Sequence, residues 1–485
     1  MNSNFDNSVQ GEKMVGFLFC LGIGLLVIFN PFDKTPVSIL LSLLIIAVSL
    51  IPYFVWRNRK DRNLVVLGVF YYGFFHMVGY GLTGFISHSL APSSIQENIS
   101  DASEILAKIL VVSHLLIVFF VWYVLQRLFN SSKPSNTTSD KKPSLTAYYT
   151  ILLLCILLTL IEYFRILGIP PFDMITGIVI GIIRFLAYMY LFYFVFYLNI
   201  GGWFIKILSV IGCLMSQGAL ITISQIGPYA GVGLILILLS LQKGWLPVRL
   251  VLPIFFAFII LQPIKGAIRG SFDVGGYGIV ESLSYGLKEL EDLDNRLLID
   301  IATKRVDYTL LLSSFVQHIG VRDETDYLGW KGYNNLKYVL IPRIFWEDKP
   351  DDFFSNEWAV QEGYLNRGDY VTSYNLPWLP QMYLSFGTVG IIIGSFIVGL
   401  ILFLFERYYW TIKPDAWSFA VGYSVLRPML TLEGDFAMVL GIVIKVIMID
   451  IIVRVVRRLL LTLGQDASNS DSSDRSNYSL ASGES

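Results

Sequence analysis

Charge is what this sequence has least of. Only 15% of its 485 residues are Asp, Glu, Lys or Arg, against 54% that are hydrophobic; a soluble globular chain carries about 25% charged residues. With a mean hydropathy of +0.61, the chain has too little polar surface to cover itself in water, so lipid has to be part of its solvent. The near balance of 36 basic and 37 acidic residues, net −1, leaves no field for nucleic acid. Cysteine is scarce: Cys20, Cys155 and Cys213 lie far apart inside apolar runs, which excludes a disulfide framework and reads as small core residues. The four histidines, at 76, 88, 114 and 318, show no ligand spacing, so neither a metal nor a cofactor is expected.

Long apolar runs are abundant. A membrane span takes about 20 mostly apolar residues, and about twelve candidates can be read: 14–30, 36–56, 64–86, 105–127, 147–167, 178–199, 203–221, 226–241, 246–264, 379–405, 416–432 and 436–456. The first lacks a small-residue cleavage site and reads as a retained helix. Basic residues collect at Arg57–Arg62, Arg127–Lys142, Lys243–Arg249, Arg407–Lys413 and Arg454–Arg458, whereas Ser87–Ser103 and Leu432–Phe436 have none. Basic residues are retained in the cytoplasm, so all five places fall on one side if both termini are cytoplasmic. The expected fold class is therefore an all-α polytopic membrane protein. Its domains are 1–264, 265–378, 379–458 and 459–485, namely nine spans, one large extracytoplasmic loop, three spans and a Ser/Asp/Asn-rich disordered cytoplasmic tail.

The loop is partly helical by pattern. Leu283, Leu287, Leu290 and Leu293 repeat at helical spacing within Glu281–Leu293. A second helix is expected over Leu297–His318, with Arg305 and Asp307 as a structural pair, and a third from the N-cap Asp351. Such length is unusual for a connector.

Ionisable residues inside spans are expensive and mark cavities or partners. Arg184 and Arg427 lie in the outer thirds of their spans, Glu433 and Asp435 in the turn between the last two, and Lys265 and Arg269 where the ninth leaves the membrane. Asp450 can pair with Arg454 at i+4. The outer half thus gathers an excess of cations, as a cavity for an anionic ligand would. In the loop, Ile341-Pro342-Arg343-Ile344-Phe345-Trp346-Glu347-Asp348-Lys349-Pro350 holds two prolines, an aromatic pair and four charges. Arg343 and Lys349 can grip diphosphate oxygens, and Glu347 or Asp348 can accept a proton. A solvated turn with internal ion pairs is the alternative.

That segment, the stretch Thr372–Pro377 and Tyr383-Leu384-Ser385-Phe386-Gly387-Thr388-Val389-Gly390 at a span entry resemble the Wzy-type polysaccharide polymerases, the O-antigen and oligosaccharide repeat-unit polymerases of bacterial envelopes. Gln262–Arg269 is similar to their loop opening. The paired Arg-x10-Gly motifs of one branch are missing from this loop, so that branch's residue roles do not transfer. The resemblance implies a GT-C-like glycosyltransferase of the bacterial plasma membrane, with a glycan on undecaprenyl diphosphate as donor, a repeat unit on the same lipid as acceptor, and a chain-length regulator as partner. It implies diphosphate contacts from Arg184, Lys265, Arg269, Arg343, Lys349 and Arg427, and a base among Asp348, Glu433 and Asp435. Two rivals remain: an O-antigen-ligase-like transferase, and a transporter, since Arg57–Arg62 is similar to a basic loop of major-facilitator proteins.

Overall fold

The computed structural model describes residues 36–53, 67–85, 99–129, 145–166, 177–197, 202–216, 307–321, 327–334, 336–339, 359–360, 376–412, 416–430 and 435–481, and residues 288 and 346 singly. All regular structure among them is helical. The elements are α1 (Pro36–Ser49), α2 (Leu67–His76, continued by a π-helical turn Met77–Leu82), α3 (Asp101–Phe129), α4 (Leu145–Ile166), α5 (Gly177–Phe192, continued by a π-helical turn Tyr193–Tyr197), α6 (Trp203–Ser216), α7 (Tyr308–Val321), a 3-10 turn (Gly329–Tyr333), α8 (Leu336–Val339), α9 (Trp378–Phe405, then a π-helical turn Glu406–Ile412), α10 (Ala416–Leu430) and α11 (Phe436–Ala481). Helices α1 to α6 coincide with the predicted spans from 36–56 to 203–221, and α9 to α11 with the last three. The candidates 14–30, 226–241 and 246–264 lie outside the described residues, as does Glu281–Leu293 apart from Lys288.

Two helices, Asp101–Phe129 and Trp378–Tyr409, are long and apolar enough to cross a membrane. Their polarity is inside out. The exposed stripe of α3 is Ile109, Leu116, Phe120 and Tyr123, while Glu104, Lys108, His114 and Gln126 are buried. On α9, Val389, Ile392, Ile393 and Phe396 are exposed while Gln381, Ser385, Ser395 and Glu406 are buried. Water selects the opposite arrangement. A lipid solvent favours apolar side chains on the outside and polar ones turned toward the bundle.

Helix α3 is the central post, packing against α1, α7 and α9. Its start is capped by Ser100, whose Oγ accepts from Ser103 N at 3.3 Å, and Asp101 and Glu104 in the first turn suit the positive helix end. Contacts sort into two ends. At one, α7 lies across the bundle: Thr309 Oγ1 donates to the Tyr80 carbonyl at 2.8 Å, and Ser100 N donates to Gln317 Oε1 at 2.7 Å. At the other, the carboxylate of fully buried Glu406 accepts from Val69 N at 3.0 Å and Trp122 Nε1 at 2.6 Å, so it closes the open first turn of α2. There too, Arg407 donates to the Phe129 carbonyl. The expected Asp450–Arg454 pair forms at 2.7 Å, and Trp417 Nε1 donates to the same carboxylate.

Asp307 caps a helix: its Oδ1 accepts from Thr309 N at 3.0 Å and Leu310 N at 3.1 Å, so α7 starts at Tyr308 and runs to Val321. Arg305, the other half of the expected pair, lies outside the described residues. Helix α11 runs to Ala481, through the segment after Gly464 for which composition leads one to expect disorder.

Candidate functional site

The site is built on the start of α9. Pro377 is extended, with φ −61° and ψ 156°, and the helix begins after it. One turn in, Gln381 is buried to 1% exposure. Its Nε2 donates to the Gly332 carbonyl at 2.9 Å, and its Oε1 accepts from Phe436 N at 2.8 Å. The first N–H groups of a helix have no acceptor within it, so Gln381 caps α11 from another element and fastens the 3-10 turn to both. Gln381→Leu removes the partners of the buried Gly332 carbonyl and the part-buried Phe436 N–H and is expected to destabilise the protein by about 2 kcal/mol. Thermal unfolding of the purified protein would read the loss; a midpoint equal to wild type would refute this role.

Six residues on, α9 breaks. Gly387 has φ 61° and ψ −145°, a backbone region that is essentially glycine's. A side chain there would meet the Tyr327 ring 2.7 Å away. In an unbroken helix the Leu384 carbonyl serves Thr388 N–H; here it accepts from Leu328 N at 3.0 Å. Thus the motif Tyr383–Gly390 forms a bend that receives the loop.

Aromatic rings cover this junction. Trp330 packs on Phe386 (centroids 5.2 Å apart), Tyr333 stacks on Phe386 (6.1 Å) and meets Phe436 (5.9 Å), and Phe436 meets Trp378 (5.4 Å). Burial pushes the Tyr333 phenol up to about 12, so it is neutral at physiological pH.

From Trp378 and Phe436 a groove of about 610 Å³ runs between α9 and α11. Its lining includes Leu404, Tyr408, Leu440, Val443 and Ile447, and it reaches Asp450. Phe436 and Asp450 are 14 residues apart on α11 (450 − 436), about 21 Å along the axis. The wall is apolar over nearly its whole length, which suits a hydrocarbon chain.

The predicted site residues divide into three groups. Asp435 is buried at the groove head, one residue before α11. Nearby, the loop motif is represented by Trp346, edge-on to Tyr338 at 5.5 Å; Tyr338 belongs to α8, which packs against α11. Trp346 is thus linked through α8 to the helix that Asp435 precedes. Arg184 is half-buried on α5, and Arg427 is placed by its backbone on α10. These two helices pack together, with Tyr193 just after α5 against Phe419 near the start of α10 (5.3 Å). Arg184 precedes Tyr193 by nine residues and Arg427 follows Phe419 by eight, so on antiparallel helices both lie about 12–14 Å from that contact, at one height. Lys265, Arg269, Arg343, Asp348, Lys349 and Glu433 lie outside the described residues.

Two buried polar clusters in α3 add information that the apolar pattern of the span concealed. The Lys108 ammonium donates to Glu104 Oε1 at 2.7 Å, Ser38 Oγ at 2.6 Å and Ser38 O at 3.1 Å. An ammonium has three protons, so this buried pair is complete and ties α1 to α3; the i,i+4 spacing of Glu104 and Lys108 was its sequence signal. Further along, Ser395 Oγ donates its proton to the Ile391 carbonyl. It therefore accepts from His114 Nδ1 at 2.7 Å, which leaves Nε2 to accept from Tyr72 Oη at 2.6 Å. The chain is directed Tyr72 to His114 to Ser395, with His114 neutral. Ser395 is not activated by His114, so this is no Ser–His nucleophile.

Residues 248–407, about a third of the chain, match a family described as a domain of unknown function (DUF8712). That segment contains the loop, the bend and the α9 wall of the groove. No curated protein and no solved structure matches the chain.

Proposed function

We propose that the chain is a polysaccharide polymerase of the plasma membrane that joins oligosaccharide repeat units carried on undecaprenyl diphosphate. The observation that carries this reading is an apolar groove about 21 Å long with the buried carboxyl residue Asp435 next to Phe436 at its head, and, packed against α11, the helix α8, whose Tyr338 meets Trp346 of the loop motif. A lipid-linked glycan has the same three parts: a hydrocarbon tail, a diphosphate and a sugar. The sorting of contacts into an α7 end and a Glu406 end agrees with the outer and cytoplasmic sides read from Lys and Arg, which supports α7 and the groove head being on the outer side.

In the proposed reaction the tail of the donor lies in the groove. An acceptor hydroxyl attacks the anomeric carbon. The new C–O bond forms as the bond from that carbon to the diphosphate oxygen breaks, and the hydroxyl proton passes to a carboxylate, Asp435, Glu433 or Asp348. The leaving diphosphate carries the developing negative charge. Arg184 and Arg427, at one height in the bundle, and Lys265, Arg269, Arg343 and Lys349 from the loop are the cations proposed to receive it. Chemistry of this kind needs no metal.

The test is deletion of the gene, complemented with wild type or Arg343→Ala, with surface glycan resolved on a gel. The expected result is single repeat units in the deletion and in Arg343→Ala, while the variant protein reaches the membrane at the wild-type level. Lipid-linked units held on the cytoplasmic face would instead identify a transporter. Full-length chains that stay on the carrier lipid would identify a ligase.

A further inference from the structure

Trp330 is 76% exposed, although a large aromatic ring is among the groups that gain most from burial. Nothing about it is loose. The 3-10 turn that carries it is held at Leu328 by the Leu384 carbonyl and at Gly332 by Gln381. Lys331 N and Asn334 N close the turn onto the Leu328 and Lys331 carbonyls. Gly329 sets its direction with a left-handed φ of 54° where a side chain would have open space around it, so the backbone angle and not crowding favours glycine. Phe386 and Tyr333 hold the indole edge-on from beneath. The exposed polar residues of the same turn are Lys331 and Asn334, and the groove head at Phe436 is two ring contacts away, through Tyr333.

We infer that Trp330 is a saccharide-stacking subsite: its indole face receives a sugar of the glycan whose lipid tail occupies the groove. The ligand class rests on the lipid-linked-glycan reading above. A pyranose presents an apolar C–H face that packs on an aromatic ring, and its hydroxyls need polar partners, for which the exposed Lys331 and Asn334 of the same turn are the candidates. A tryptophan that only anchored the chain in a membrane interface would need the correct depth; it would not need a turn held at both ends, with its ring fixed by two others. Such preorganisation favours binding, because little side-chain freedom is lost when the ligand arrives.

The test uses the full-length protein in lipid nanodiscs and, as probe, oligosaccharides released by mild acid from the host's own surface polysaccharide. Binding is measured by calorimetry for wild type, Trp330→Phe, Trp330→Leu and Trp330→Ala. Stacking predicts that Leu and Ala weaken binding about tenfold while Phe stays within about threefold. Wild-type affinity in Trp330→Leu, or no binding to wild type, would overturn the inference. A second measurement addresses the membrane: the fluorescence difference between wild type and Trp330→Phe is followed in nanodiscs containing brominated lipid. No quenching of that difference is expected; quenching would assign Trp330 to the lipid interface and sink the subsite. These readouts do not depend on polymer formation, so a gene deletion that leaves glycan length unchanged refutes the polymerase alone.

Discussion

Alanine at position 387 is expected to destabilise the protein by about 3 kcal/mol, through backbone strain and collision together. The strain arises because φ 61° with ψ −145° lies where an L side chain has no relaxed conformation. The collision arises because a new Cβ would stand 2.7 Å from Tyr327 Oη and 2.8 Å from its Cζ. Pairing Gly387→Ala with Tyr327→Ala separates the two: the double variant is expected to recover only the steric part, so its thermal midpoint stays well below that of Tyr327→Ala alone. Equal midpoints would mean that the backbone at 387 is unstrained and that α9 does not bend there.

The second large effect concerns Glu104 and Lys108. Removing one partner of a buried ion pair leaves an uncompensated charge and costs about 3–5 kcal/mol, whereas replacing both with apolar residues of similar size is often close to neutral. Glu104→Leu and Lys108→Met are therefore each expected to be severely destabilised, and Glu104→Leu/Lys108→Met to recover most of the loss. Thermal unfolding in detergent of the four proteins completes the cycle. Additive losses in the double variant would show that the 2.7 Å pair is not energetically coupled.

What the sequence makes legible follows from what hydropathy can carry. The described helices α1 to α6 and α9 to α11 fall on predicted spans because an apolar run of that length in a chain this poor in charge has few other uses. The Asp450–Arg454 pair was readable because both ends lie on one helix at i+4. Gln381 was not readable: nothing local distinguishes a glutamine that joins Gly332 to Phe436, since its partners are remote in sequence. The motif around Gly387 was visible as a pattern, but its role as a bend depends on Leu328 and Tyr327 arriving from the loop. Asp307 reads as a charge beside Arg305, but its cap on Thr309 N and Leu310 N depends on where the helix starts, which the apolar pattern does not mark. Of the candidate site, Asp435 and the motif stand out in the sequence by residue type and position. The exposed Trp330 had no signal at all, because exposure is a property of the folded chain.

The Leu384 carbonyl has one further consequence. In a straight helix a carbonyl points along the axis toward the N–H four residues on; at the bend this one also faces outward, to Leu328 N–H. Straightening α9 would turn the acceptor away from the bond by which the loop is attached, and pulling the loop away would remove one support of the bend. Posture of the helix and docking of the loop are thus coupled, and a ligand that favours one shifts the other toward it.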